Sequence, residues 1–162
     1  FGETCPQYLV LDESRYDDPE EGLKFILSPP LRAKEHQAAI WEGIKDGTLQ
    51  VIATDHCSFD YHGDKQNGKD DFTKCPNGAP GVETRMPIVF SEGVSKGRMS
   101  LNKFAAVTST NPAKIFGMYP KKGVLAVGSD ADIVLMNPDM EVTITKNILH
   151  ENVVDCDLHN TL

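Results

Sequence analysis

The sequence predicts the α/β class, and three observations carry that prediction. Val51-Ile52-Ala53 is apolar enough for a strand buried on both faces, and it stops abruptly at Thr54-Asp55-His56-Cys57. A helical stripe over residues 33–46 feeds a strand over 49–54, the second half of a βα repeat, because parallel strands need such a crossover. Beyond Lys121-Lys122-Gly123 the periodicity changes to that of strands. A buried strand ending in ionisable groups is how barrel enzymes present a reacting carboxylate. Asp55 is therefore the first catalytic candidate; its plainer alternative is to cap a following turn or helix.

Taken in order, residues 2–11 read as a strand with its exit loop, since Tyr8, Leu9, Val10 and Leu11 are strand formers and Pro6 suits a strand end. Residues 12–22 carry six acidic side chains with Pro19 and Gly22, the mark of a solvated connection. Phe25-Ile26-Leu27 runs into Ser28-Pro29-Pro30-Leu31-Arg32, where two prolines fix the backbone as a rigid loop. Ala38, Ala39, Ile40, Trp41 and Ile44 form the stripe of the 33–46 helix, and Gly47 is its stop.

The segment 56–85 has no sustained periodicity, and loops of this length are functional or disordered. His56, Cys57, Asp60, His62, Asp64 and Cys75 could all ligate zinc, but their spacing matches no compact structural-zinc pattern. Pro76-Asn77-Gly78-Ala79-Pro80-Gly81 closes the loop with strong turn chemistry. Helical pattern resumes over 86–95 with Gly97 as stop, and Ser100 is an N-cap for a helix through Leu101, Phe104, Ala105 and Val107. Thr108-Ser109-Thr110-Asn111-Pro112 is expected to break that helix, with Pro112 opening another that ends at Gly117. Val124–Val127, Ile133–Met136 and Val142–Ile144 read as strands, while the tail from His150 to Leu162 carries no legible element.

Composition narrows the function. With 162 residues, 40% hydrophobic and 25% charged, the chain has the make-up of an ordinary globular protein. A formal net charge of −8 argues against nucleic acid or an anionic membrane as partner, because both demand a basic face. No apolar run approaches the ~18 residues of a membrane-crossing helix. Cys5, Cys57, Cys75 and Cys156 are spaced too widely for a Cys-x-x-Cys ribbon or redox pair. They could form two bridges in a secreted protein, but nothing points to secretion, so reduced thiols and a cytoplasmic location are expected. Phe1-Gly2-Glu3-Thr4-Cys5-Pro6 shows neither an initiator Met nor signal-peptide character, and reads as the middle of a longer chain.

Five motifs then fall in order: Gly2-Glu3-Thr4-Cys5-Pro6-Gln7-Tyr8-Leu9, Ser28-Pro29-Pro30-Leu31-Arg32, Ala53-Thr54-Asp55-His56-Cys57, residues 77–86 from Asn77-Gly78 to Arg85-Met86, and Gly128-Ser129-Asp130-Ala131-Asp132-Ile133-Val134. Together they resemble the hydantoinase/dihydropyrimidinase branch of the cyclic amidohydrolases, over all but the tail after Val154. The resemblance implies a TIM (β/α)8 barrel with a binuclear divalent metal site, usually zinc, flanked by a β-sandwich. Residues 1–120 would be the C-terminal part of the barrel, with Gly2–Val10 as its seventh strand and Gln50–Asp55 as its eighth; residues 121–162 would belong to the sandwich. A whole barrel takes about 250 residues, so the chain is expected to be one portion of the enzyme and inactive alone.

By the same resemblance, the activity is hydrolysis of the cyclic amide bond of hydantoins or dihydropyrimidines, small molecules. Two metal ions would generate hydroxide from a bridging water and polarise the amide carbonyl. Asp55 matches the family aspartate that binds one metal and shuttles the proton to the leaving nitrogen. Ser28 and Asn77 match the positions that hydrogen-bond the ring amide, largely through main-chain groups. The remaining ligands have no counterpart here and would lie outside this chain, and the family is commonly tetrameric. Two other readings stand beside this one. Non-catalytic dihydropyrimidinase-related scaffold proteins share Val107-Thr108-Ser109-Thr110-Asn111 but lose the aspartate that this chain keeps. Allantoinase and dihydroorotase share the barrel and the Asp tip, but neither the Ser28 nor the Asn77 segment carries an extra Arg beyond Arg32 and Arg85 for an orotate-type carboxylate.

Overall fold

The computed structural model describes residues 1–152. Two short strands, β1 (Glu3–Thr4) and β2 (Val51–Ile52), pair in parallel with Glu3 beside Val51 and Thr4 beside Ile52. The ladder extends one step further, where the Ala53 amide donates to the Thr4 carbonyl at 2.8 Å. A crossover separates the strands, as parallel pairing demands. It holds α1 (Pro6–Val10), two 3-10 turns (Glu13–Asp17 and Glu21–Phe25) and α2 (Glu35–Asp46).

The expected strand over residues 2–11 is corrected: it ends at Thr4, and Tyr8, Leu9 and Val10 are helical in α1. Pro6 decides this, standing at the first turn of a helix, where its fixed φ is preset and its missing N–H costs nothing. The helical turn sends Leu9 inward, where it is buried. The strand expected over 49–54 likewise contracts to Val51–Ile52. In α2 the predicted stripe holds in part: Ile44 is buried and Ile40 and Trp41 pack half-buried beside it, whereas Ala38 and Ala39 are exposed. Gly47 takes the left-handed conformation (φ 90°) that terminates such helices.

After the long loop come α3 (Arg85–Val89) and, past Ser100, α4 (Leu101–Ala105) and α5 (Asn111–Ile115). Wide π turns extend the first at Phe90–Ser95 and join the other two at Ala106–Thr110. The Ser100 hydroxyl accepts from the Lys103 amide at 3.1 Å, the cap read from the sequence. The expected break at 108–112 is corrected, since the chain stays helical through it. The π turn explains this: the Asn111 amide reaches back to the Ala106 carbonyl, and a widened turn makes room for the Pro112 ring. Asn111 also docks this helix on β2, its side-chain amide donating to the Gln50 carbonyl at 2.9 Å.

Two cores result. Leu9, Ile44, Ile52, Val89, Met99, Phe104 and Val107 form one between the strand pair and the helices, with Phe90 edge-on to Phe104 at 5.5 Å. Leu11, Phe25, Leu27, Leu31 and Ala79 form the other beneath the loops. The strands expected within 124–144 do not form: no residue of that stretch is in a strand, and Leu125, Val127 and Leu135 are almost wholly exposed. A strand exists only when a neighbouring edge takes up its backbone groups, and the described residues offer that stretch no such edge. The tail after Val154 lies outside the described residues.

Candidate active site

Asp55 stands just beyond the C-terminal end of β2, exposed, with φ of 50°. Among the described residues it is the sole non-glycine residue at positive φ. That conformation costs an L-residue on the order of 1 kcal/mol and persists only where its surroundings impose it. Here they do. His56 bridges in parallel to Ala79, the Cys57 amide donates to the Ala79 carbonyl at 3.1 Å, and the His56 amide reaches the Thr54 hydroxyl at 3.3 Å. His56 Nδ1 accepts from the Gly81 and Val82 amides at 3.1 and 3.3 Å, which leaves Nε2 as the protonated ring nitrogen of the neutral form. The loop 79–82 thus grips the chain immediately after the aspartate, at His56 and Cys57. Below it, Arg85 Nη1 donates to the Ile52 carbonyl at 2.8 Å, tying α3 to the strand end.

Ser28 and Asn77, both exposed, line one open cavity of about 420 Å³ together with Ile26, Leu27, Pro30 and Phe72. The loops that carry them are joined directly, the Gly78 amide donating to the Ile26 carbonyl at 3.0 Å. Gly78 is required there: at φ 154° an added Cβ would sit 2.3 Å from the Cys57 carbonyl oxygen. Asp55 is outside this lining. The Tyr8 hydroxyl donates to the Pro29 carbonyl of the Ser28 loop at 2.8 Å. Burial, then the neighbouring Cys5 and the Asp55 carboxylate, push the Tyr8 phenol up to about 12, so it remains a donor at neutral pH. Burial, then Glu3 and Asp55, push the Cys5 thiol up to about 12 as well, which keeps it protonated and unreactive. A larger depression of about 510 Å³ among Asp12, Ser14, Tyr16, Lys34 and Glu35 contains none of the candidate residues.

No group of three or more His, Cys, Asp or Glu side chains converges among the described residues. The six candidate ligands of the 56–75 stretch are dispersed: Cys75 is buried, while His56, Cys57, Asp60, His62 and Asp64 are exposed. One carboxylate does not hold a cation by itself, because metal sites of this type take three or four protein donors. Asp55 fits such a site as one hard oxygen donor only.

Tyr8, His56 as a loop clamp, and a wholly buried Lys65 escape sequence reasoning. Tyr8 sits inside a quoted motif but looks like a strand former. Lys65 lies in a stretch rich in Lys, Asp, Asn and Gly, which reads as solvated.

A protein-family model described as Amidohydrolase family matches residues 12–156. The chain is 53% identical over 151 residues to D-hydantoinase of Geobacillus stearothermophilus, an alignment covering 93% of this chain and 32% of that protein. Against D-phenylhydantoinase of Escherichia coli O1:K1 / APEC the identity is 53% over 150 residues, with 93% and 32% covered. In three dimensions it matches D-hydantoinase from a Bacillus sp. AR9 with a TM-score of 0.92 at 52% identity, over 94% of this chain and 34% of the other. The chain spans about a third of the length of the curated relatives it matches.

Proposed function

The chain belongs to the amidohydrolase family, and from that premise we propose that the protein hydrolyses the cyclic amide bond of hydantoins and dihydropyrimidines. The observation that carries this reading is Asp55, a carboxylate held in a costly backbone conformation just beyond the end of a parallel strand. The 53% identity to D-hydantoinase supports it. In this reading residues 1–120 are the last barrel strands with their helices, and residues 121–162 are part of a β-sandwich. The active protein is longer than this chain and contributes the other metal donors.

A bound divalent metal, zinc in the first instance, supplies Lewis acidity that makes water a nucleophile near neutral pH and polarises the amide carbonyl. The residues of this chain do the rest. Asp55 offers one oxygen to the cation, takes the proton that the attacking water loses, and passes it to the ring nitrogen as the C–N bond breaks. Main-chain groups at Ser28 and Asn77 hydrogen-bond the ring amide and orient it. Tyr8 holds the Pro29 carbonyl and, with it, the Ser28 loop. Assembly as a homotetramer in the cytoplasm completes the reading, and sedimentation of the full-length protein checks the assembly.

The test is an assay of the full-length protein on hydantoin, phenylhydantoin, dihydrouracil, allantoin and dihydroorotate. Turnover of the first three is expected; preference for either of the last two would replace this reading with allantoinase or dihydroorotase. Asp55→Asn keeps the shape but cannot take the proton, so kcat should fall by about 10²–10⁴-fold with an unchanged melting temperature. A variant that retains full turnover would remove Asp55 from the mechanism.

A further inference from the structure

Lys65 is the largest fully buried side chain among the described residues, 0% exposed at the start of a 3-10 turn (Lys65–Gly68). A lysine goes to such a place only when its ammonium is well supplied with acceptors, because an unsolvated charge is costly. Lys65 Nζ donates to the Ile26 carbonyl and to the Pro76 carbonyl, both at 2.8 Å, and lies 5.7 Å from the centre of the Phe59 ring. The two carbonyls belong to different loops. Ile26 is two residues before Ser28, and Pro76 is bonded to Asn77. The Ile26 carbonyl also takes the Gly78 amide, so one oxygen receives a donor from the Asn77 loop and another from the Lys65 turn.

We propose that Lys65 is a positioning residue for substrate: its buried ammonium staples the Ser28 loop to the Asn77 loop and sets the spacing at which the two grip the ring amide. This rests on the hydantoinase reading given above, and it adds a residue that touches no reacting atom. The chain near Ser28 has two prolines and no amide of its own to pair across the gap at Pro29 or Pro30. A charge-assisted donor from a third segment adds two bonds to the single backbone tie between the loops. Groups that bind the ring equally in the ground and transition states affect KM and leave kcat alone. Loss of the staple should therefore appear in KM.

The experiment uses the full-length protein with K65M, K65R and, as an exposed control, K74M, assayed on hydantoin and dihydrouracil. K65M is expected to raise KM about tenfold or more with kcat within about threefold; K65R, which keeps donors at another spacing, should fall between it and wild type. A lysine that merely supported folding would lower kcat in proportion to the folded or metal-loaded fraction and leave KM alone, and that result overturns the proposal. Hydrogen exchange gives a readout independent of turnover. In K65M, or in K65R if K65M is insoluble, the Gly78 amide should exchange faster while α2 is unchanged. Unaltered protection at Gly78 overturns the staple whatever the activity of wild type. Absence of cyclic-amide turnover in wild type overturns the functional reading instead.

Discussion

Residues 1–115 and residues 124–144 have opposite fates, although the second stretch is the richer in aliphatic side chains. The first stretch buries Leu9, Ile44, Ile52, Val89 and Val107 at 2% exposure or less. The second leaves Leu125 at 82%, Leu135 at 93% and Val127 at 108%. The difference is in partners. Ile52 has a parallel neighbour in Thr4 and helices on its flanks, whereas Leu135 has no strand beside it among the described residues. An alternating apolar pattern states that a strand could be buried; it does not supply the surface that buries it.

This contrast can be tested directly. Ile52→Ala should cost about 2–5 kcal/mol, the cost of a cavity in a filled core, while Leu135→Ala should change stability by less than about 0.5 kcal/mol, both read from urea unfolding of the chain. If the sandwich assignment is right, Leu135→Ala in the full-length protein should become as costly as a core substitution. Equal small effects in both contexts would sink that assignment.

A second test uses pH. Cys5 and Tyr8 belong to the packed region, and their folded-state pKa values, about 12, lie above the ordinary 9.0 and 10.0. The unfolded chain therefore gives up these protons first, so stability is complete below pH 9 and declines as pH rises through the window toward 12. The urea midpoint should drop between pH 9 and 11, and Cys5→Ala should flatten that drop. A midpoint independent of pH in wild type would mean that neither group is shielded as described. The smallest effect belongs to the helix cap: Ser100→Ala should cost about 1 kcal/mol by the same measurement. Its hydroxyl satisfies the Lys103 amide at the start of α4.

Local chemistry was legible without coordinates wherever the deciding interactions are close in sequence. The helix ending at Gly47, the Ser100 cap, the turn at Asn77-Gly78 and the halt of a buried strand before Asp55 all depend on a few consecutive residues. Tyr8-Leu9-Val10 differ from the expected strand because the same apolar residues suit a strand or a helix. Pro6 at the first turn sets the helix, and Leu9 then packs in one core with Ile44 and Ile52. Pro112 misled for a related reason: a single π turn ahead of it removed the conflict that normally ends a helix.

By itself, then, the amino-acid order determined the α/β class, the placement of a carboxylate at a strand end, the rigid loop at Ser28 and the family these motifs resemble. Only the tertiary structure decided that Asp55 would be left-handed, that His56 would clamp the loop 79–82, and that Lys65 would be buried between two carbonyls. The physical reason is separation along the chain. Lys65 and Ile26 are 39 residues apart, and His56 and Gly81 are 25 apart. No local propensity records a hydrogen bond whose two ends meet only after the core has closed.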